Sequence, residues 1–300
     1  MKIQNIVIEW AEVKKAFTDA IEDGKMLKGS QPINEKLRQW HNNPTRKDSW
    51  EGGSAHQTMQ NIRNGYRTEA FAHSAEYAIL SERRHWTYNE EEGEIDVDRV
   101  MSGYDEIFLD REVRESRPGI RLMIEFSFSW TTSAECIAQY GAWVASLITS
   151  LESTGYDLVV DVWINLDNLF QGQGYGQRTN VLIRVKQENE QSNSTDWSAL
   201  FGSTGYRQLG FLAKCLAGQK IGKRVTPSFG MTVGGKDWGV KYDRDTATVQ
   251  VFVNQRAGND RLPVDKLNDD AIKEGLIPQP IKVAGAQSSK GSGGKGDHGF

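Results

Sequence analysis

The sequence predicts an α/β protein with a mainly parallel central sheet flanked by helices, preceded by an irregular N-terminal region. Three observations carry this reading. A strand-like run, a long helix and a second strand-like run follow one another with tight connections between Arg117 and Asn165. The second of these runs, Leu158 to Ile164, is almost continuously apolar, as a strand covered on both faces should be. Further helical and strand-like stretches alternate downstream, the pattern of layered α/β folds.

Composition sets the outer limits. The chain has 300 residues, 38% hydrophobic and 25% charged. That suits one large domain or two modest ones. No apolar run approaches the roughly 18 residues that a membrane helix needs, so no membrane partner is expected. The N-terminus lacks a long apolar core followed by a small-residue cleavage site, and a cytoplasmic location is the expectation. The two cysteines, Cys136 and Cys215, sit in apolar helical patterns and are read as buried free thiols. The net charge of -4 speaks against a binder driven mainly by electrostatics, although charge can be unevenly spread.

Residues 1–115 are mostly polar. "AEVKKAFTDAIEDG" has helical spacing at Val13, Phe17, Ala20 and Ile21 and stops at Gly24. Gly52-Gly53-Ser54 reads as a turn into a helix with Met59 and Ile62 inward and Gly65 at its end. The acidic run "NEEEGEIDVD" reads as a solvated loop.

The α/β domain is placed at residues 116–284. Pro118-Gly119 opens the first strand, "RPGIRLMIEFSFS". The helix "TTSAECIAQYGAWVASLITSLESTG" follows, with Thr132 and Glu135 as a capping box. Its apolar stripe runs Ile137, Gly141, Val144, Ile148 and Leu151, and Gly155 supplies the stop. "YDLVVDVWIN" completes a βαβ unit, which predicts a parallel pairing and a right-handed crossover. "NVLIRVKQEN" alternates more and reads as a sheet edge. A helix is cleanest from Tyr206 to Leu216, "ATVQVFVNQ" is a further strand, and "PVDKLNDDAIKEG" a late helix. Residues 285–300, rich in Gly, Ser and Lys, are expected to be a flexible tail.

The first strand raises a chemical question. Glu125, Ser127 and Ser129 alternate with apolar residues at its end. Such a pattern fits either an oxygen-ligand site or ordinary strand-end hydrogen bonding. From Ile120 onward the order of elements resembles a von Willebrand factor A (VWA)-like, Rossmann-type domain. In that family the first strand ends in Asp-x-Ser-x-Ser, a metal-ion-dependent adhesion site. The resemblance implies Glu125, Ser127, Ser129, Thr195 and Asn254 as a degenerate metal site taking a hard cation such as Mg²⁺. Three departures weaken that site. Glu125 is one methylene longer than aspartate, Phe128 stands where a turn glycine is usual, and Asn254 stands where an aspartate would be. No cofactor is therefore assigned as certain. A second resemblance spans Ser49 to Asn165, through "SWEGGS", "IRNGY", "IDVDRVMSGYD" and "STGYDLVVDVW". It is similar to an uncharacterised family of phage- and plasmid-encoded proteins in which a Trp-x-Gly motif precedes a degenerate VWA-like core. That implies a phage or mobile-element origin and an infected host's cytoplasm.

Catalytic signatures are sparse. No two of the five histidines have the i, i+4 spacing of a zinc protease. "GQGYG" precedes a strand and lacks the residues of a nucleotide cradle, and no nucleophile elbow appears. The chain is expected not to be an enzyme. Basic segments hold Arg83 and Arg84 in "ERRHW" and Lys220, Lys223 and Arg224 in "KIGKR", the latter between Phe211 and Phe229. Cations interleaved with aromatics suit single-stranded nucleic acid, of which nine Trp, nine Tyr and eleven Phe offer many platforms. The functional expectation is a non-enzymatic, phage-type factor that holds single-stranded DNA or RNA and recruits replication or transcription machinery. The alternatives are a VWA-type adaptor for a phage or host protein, including an AAA+ ATPase and with Mg²⁺ at the metal-site face, or a virion structural component.

Overall fold

The computed structural model describes residues 3–28, 31–47, 53–65, 86–89, 94–95, 100–102, 108–111, 117–129, 131–173, 177–187, 194–226, 231–232, 237–253 and 261–283. In chain order the elements are β1 (Ile3–Glu9), α1 (Trp10–Asp23), α2 (Gln31–Asn42), α3 (Ala55–Asn64), β2 (Trp86–Asn89), β3 (Glu94–Ile95), β4 (Phe108–Arg111) and β5 (Arg117–Glu125). They continue with α4 (Ala134–Ser153), β6 (Tyr156–Asp167), β7 (Arg178–Lys186), α5 (Ser194–Phe201), α6 (Ser203–Lys220), β8 (Met231–Thr232), β9 (Gly239–Asp243), β10 (Thr248–Phe252) and α7 (Val264–Lys273).

The main sheet has the order β1-β7-β6-β5-β10-β9, with β8 added to β6. Strand β5 lies between two parallel neighbours, with Ile124 opposite Val162 of β6 and Val251 of β10. Away from that centre the sheet is mixed, where a mainly parallel one was expected. β6 returns directly into β7, which pairs with it antiparallel, and β9 pairs antiparallel with β10. A separate small sheet has the order β2-β4-β3.

The N-terminal strand alters two readings of the sequence. β1 pairs in parallel with β7 over its full length, from Ile3 opposite Arg178 to Glu9 opposite Arg184. Strand β7 is therefore interior and β1 is the edge. A strand from residues 1–115 thus belongs to the sheet placed at 116–284. Its alternation is plain once seen: Ile6 and Ile8 are buried against the helices, while Asn5 and Glu9 are not. The tail at 285–300 and the centre of the Gly172–Gly176 loop lie outside the described residues.

Helix α4 forms the centre of the core. Ile137, Tyr140, Trp143, Val144, Leu147, Ile148 and Leu151 are all fully buried. Its N-cap is Ser133, whose hydroxyl accepts the Cys136 N–H at 3.1 Å, rather than Thr132. The first intrahelical bond runs from the Ile137 N–H to the Ser133 carbonyl, and Thr132 belongs to the preceding turn, its N–H donating to the Ser129 carbonyl. Trp143 Nε1 donates to Asn268 Oδ1 at 2.9 Å, and Asn268 also holds both the N–H and the carbonyl of Ile281. One buried amide thereby pins α7 and the chain beyond it to α4. Cys136 and Cys215 are buried free thiols.

Candidate functional site

Two places hold the side chains singled out by sequence, and they lie at opposite ends of α6. The first is the C-terminal end of β5. Glu125 is fully buried, and its Oε2 accepts the N–H of Val253, the residue just after β10, at 3.3 Å. Ser127 is also fully buried, and its Oγ accepts the Asn165 N–H of β6 at 2.7 Å. Between them the Phe126 N–H donates to the Trp163 carbonyl at 2.9 Å. The segment therefore ties β5 to both parallel neighbours where regular pairing stops. Ser129 serves the next turn, with its Oγ 3.0 Å from Thr131 Oγ1.

Aromatic rings close over this strand end. Phe126 stacks on Phe201 at 5.3 Å and meets Phe128 edge-on at 5.4 Å. Tyr140 and Tyr206 pack against both phenylalanines. Burial holds the Tyr140 phenol well above its ordinary value, and the Glu125 charge pushes the same way. Burial likewise raises Tyr206, opposed by a hydrogen bond to the Phe128 backbone and by the Arg207 charge, with Glu125 adding to the rise. Arg207, buried beside them, donates to the Thr132 carbonyl at 2.8 Å.

Glu125 and Ser127, two of the proposed ligands, are each engaged by a backbone N–H. A hard cation needs several oxygens converging in near-octahedral geometry. Here Glu125 and Ser127 are turned to backbone N–H groups of different strands, inside an aromatic shell. Among the described residues, no group of three or more His, Cys, Asp or Glu side chains could hold a metal ion. Thr195 is the second residue of α5, and its side chain lies outside what is described. Asn254 lies outside the described residues, as do Arg83 and Arg84.

The second place is an open cavity of about 600 Å³ at the C-terminal end of α6. Its floor is Met26 and Leu27, and its rim carries Lys28, Gln219, Lys223 and Arg224. Both walls begin at a left-handed glycine that ends a helix. Gly24, at φ +66°, closes α1 and sends the chain into Lys25–Lys28. Gly222, also at φ +66°, closes α6 and turns the chain back into Lys223 and Arg224. An added Cβ at Gly218 would stand 2.7 Å from the Lys223 carbonyl, so the returning chain needs a glycine on the helix.

Hydrogen bonds hold each wall. Asn34 clasps Leu27, accepting its N–H at 2.8 Å and donating to its carbonyl at 2.7 Å. Opposite, Gln171 donates its N–H to the Arg224 carbonyl at 2.8 Å and Thr226 donates to Leu169 at 2.9 Å. Gln219 joins the walls by donating to the Lys28 carbonyl at 2.9 Å. Among the described residues no carboxylate pairs with Lys28, Lys223 or Arg224, and no acidic side chain lines the cavity. Lys220 differs: its Nζ donates to the Val7 carbonyl at 3.0 Å and stands 4.0 Å from Glu12.

The structure thus brings together Lys223 and Arg224 of the sequence-derived set, turns Lys220 toward β1, and adds Lys28. Lys28 escaped the sequence reading because it is about two hundred residues from the basic cluster in the chain. The alternation of lysines with Met26 and Leu27 just after a helix-ending glycine was the available signal.

Fold and sites together define a mixed α/β protein with a buried strand end that ties neighbouring strands together and a basic cavity lined by no carboxylate among the described residues. Residues 9–234 match the model of a family described as Domain of unknown function (DUF7192), and the chain belongs to that family. No curated protein and no solved structure matches the chain. The matched stretch contains all of the cavity residues, whereas β10, hydrogen-bonded to β5, lies beyond it.

Proposed function

We propose that this protein is a non-enzymatic, phage-type binding factor that holds single-stranded nucleic acid in the basic cavity at the end of α6. The observation that carries this reading is the set of exposed cations, Lys28, Lys223 and Arg224, around an apolar floor, with no carboxylate among the described residues to neutralise them. The net charge of -4 for the whole chain makes such a local excess of cations more telling. Phosphate groups would meet the cations, and a sugar or base edge would rest on Met26 and Leu27. Recruitment of replication or transcription machinery in an infected host's cytoplasm is the role that follows from the phage-type resemblance.

Fluorescence anisotropy with labelled single-stranded DNA and RNA tests the reading. Binding tighter than about 10⁻⁴ M at low salt supports it, since non-specific binders usually reach that level. Weaker binding for both polymers overturns it. Binding should weaken as salt rises, with a slope no steeper than about -2 in a plot of log K against log salt.

A second reading, a VWA-type adaptor for a phage or host protein such as an AAA+ ATPase, draws on the strand order. In the run β7-β6-β5-β10, β5 and both its neighbours are parallel and β7 is antiparallel, which supports the VWA reading, although that reading has β7 as an edge and here β1 covers it. A Mg²⁺-dependent adaptor has less support, because Glu125 and Ser127 already accept backbone N–H groups. Calorimetry with Mg²⁺ separates the two forms. Binding lost on Glu125→Ala or Ser127→Ala would favour the metal-dependent one.

A further inference from the structure

We infer that the cavity reads the end of a nucleic-acid strand, taking a terminal phosphate monoester in preference to an internal phosphodiester. This rests on the nucleic-acid reading above and specifies it. The argument starts from charge. Three cations, Lys28, Lys223 and Arg224, face one cavity with no acidic lining. An internal phosphodiester brings one negative charge, whereas a terminal monoester carries about 1.5 to 2 at neutral pH and three acceptor oxygens. A single diester would leave most of the cationic charge unmatched. A monoester matches it better, and Arg224 can engage two of its oxygens at once.

Geometry agrees with a compact grip that is open to solvent. A strand passing through needs a groove open at both ends, with cations spaced along it. Here the cations come from two short segments that Gln219 bridges across the Lys28 carbonyl. Asn34 holds one wall at both the N–H and the carbonyl of Leu27. The other wall is held by the hydrogen bonds of Arg224 and Thr226 to Gln171 and Leu169. The pinned backbone keeps the three cations on one cavity, so only their side chains have to order on binding. A cavity of about 600 Å³ has room for one nucleotide with its terminal phosphate.

The test uses the full chain and one short single-stranded oligonucleotide in three forms: 5′-phosphorylated, 3′-phosphorylated and hydroxyl-ended. At low salt, one phosphorylated form should bind about tenfold tighter than the hydroxyl-ended form. Lys28→Ala, Lys223→Ala and Arg224→Ala should each reduce that ratio toward one. All three residues are exposed, and unchanged melting curves will show the variants folded. Equal affinity for all three forms overturns the strand-end inference and leaves nucleic-acid binding standing. A ratio unchanged in all three variants overturns the assignment to this cavity. A nucleoside diphosphate that binds as tightly as the phosphorylated strand overturns the strand as the source of the phosphate. Failure of every oligonucleotide to bind overturns both readings.

Discussion

The two ends of α6 handle polar groups in opposite ways. At the N-terminal end Tyr206 and Arg207 are buried beside Glu125, and the polar atoms there are largely turned to protein partners. At the C-terminal end Lys223 and Arg224 are exposed and, with Lys28, have no carboxylate partner among the described residues. Both ends carry residues that stand out in the sequence. The difference teaches that a residue type implies chemistry only when its bonding capacity is left unspent. Glu125 resembles a ligand by position, yet its oxygen already accepts a strand's N–H. Arg224 stands in the basic run "KIGKR", and among the described residues only its backbone is engaged.

The largest effect is expected midway between the two ends. Lys214 is buried, its Nζ 4.5 Å from the centre of the Phe211 ring, and burial lowers its pKa from 10.5 to about 7. Since the folded state resists protonation, the unfolded chain binds more protons between pH 10.5 and about 7, and stability falls as the pH drops through that window. Lys214→Met should therefore stabilise the fold, by up to the order of 4 kcal/mol below about pH 7. The gain should vanish as the pH approaches 10.5. Urea melts across that range measure it, and a gain independent of pH would contradict the burial account.

Glu125→Ala sharpens the contrast directly. It removes the acceptor of the Val253 N–H and leaves a cavity where a fully buried side chain stood, at a cost of about 3 kcal/mol. The same change should leave oligonucleotide affinity within about twofold. Ser127→Ala removes only the bond to the Asn165 N–H and should cost about 1.5 kcal/mol. Lys223→Ala and Arg224→Ala should do the reverse, weakening oligonucleotide binding while the melting midpoint stays put. A large stability loss in either would break the distinction between scaffold and site.

Much of the fold was legible because local patterns dominate it. The βαβ unit around α4, the helix ends at Gly24 and Gly65, and β10 all follow from periodicity and turn chemistry. β1 was missed, and β7 was read as an edge, because their pairing joins distant parts of the chain and leaves little local signal. The start of α4 was read one residue early because Thr132 and Ser133 are both good caps by residue type, and only the structure shows that it is Ser133 Oγ that accepts the Cys136 N–H. Half of the cavity was visible as "KIGKR". The other half depended on α1 and α2 presenting Lys28 across from α6. The hydroxyls of Ser127 and Ser129 were visible too, but their direction was not.

The pairing of β1 with β7 also has a consequence for biogenesis. Asn5 meets Asn180 across 175 residues of sequence. At about 5–20 residues per second, the ribosome would finish β7 roughly 10 to 35 seconds after β1. Throughout that interval Ile6 and Ile8, and the backbone groups beside them, have no sheet to join. β1 is thus made well before the strand it pairs with, and its apolar face stays without that partner until β7 has emerged.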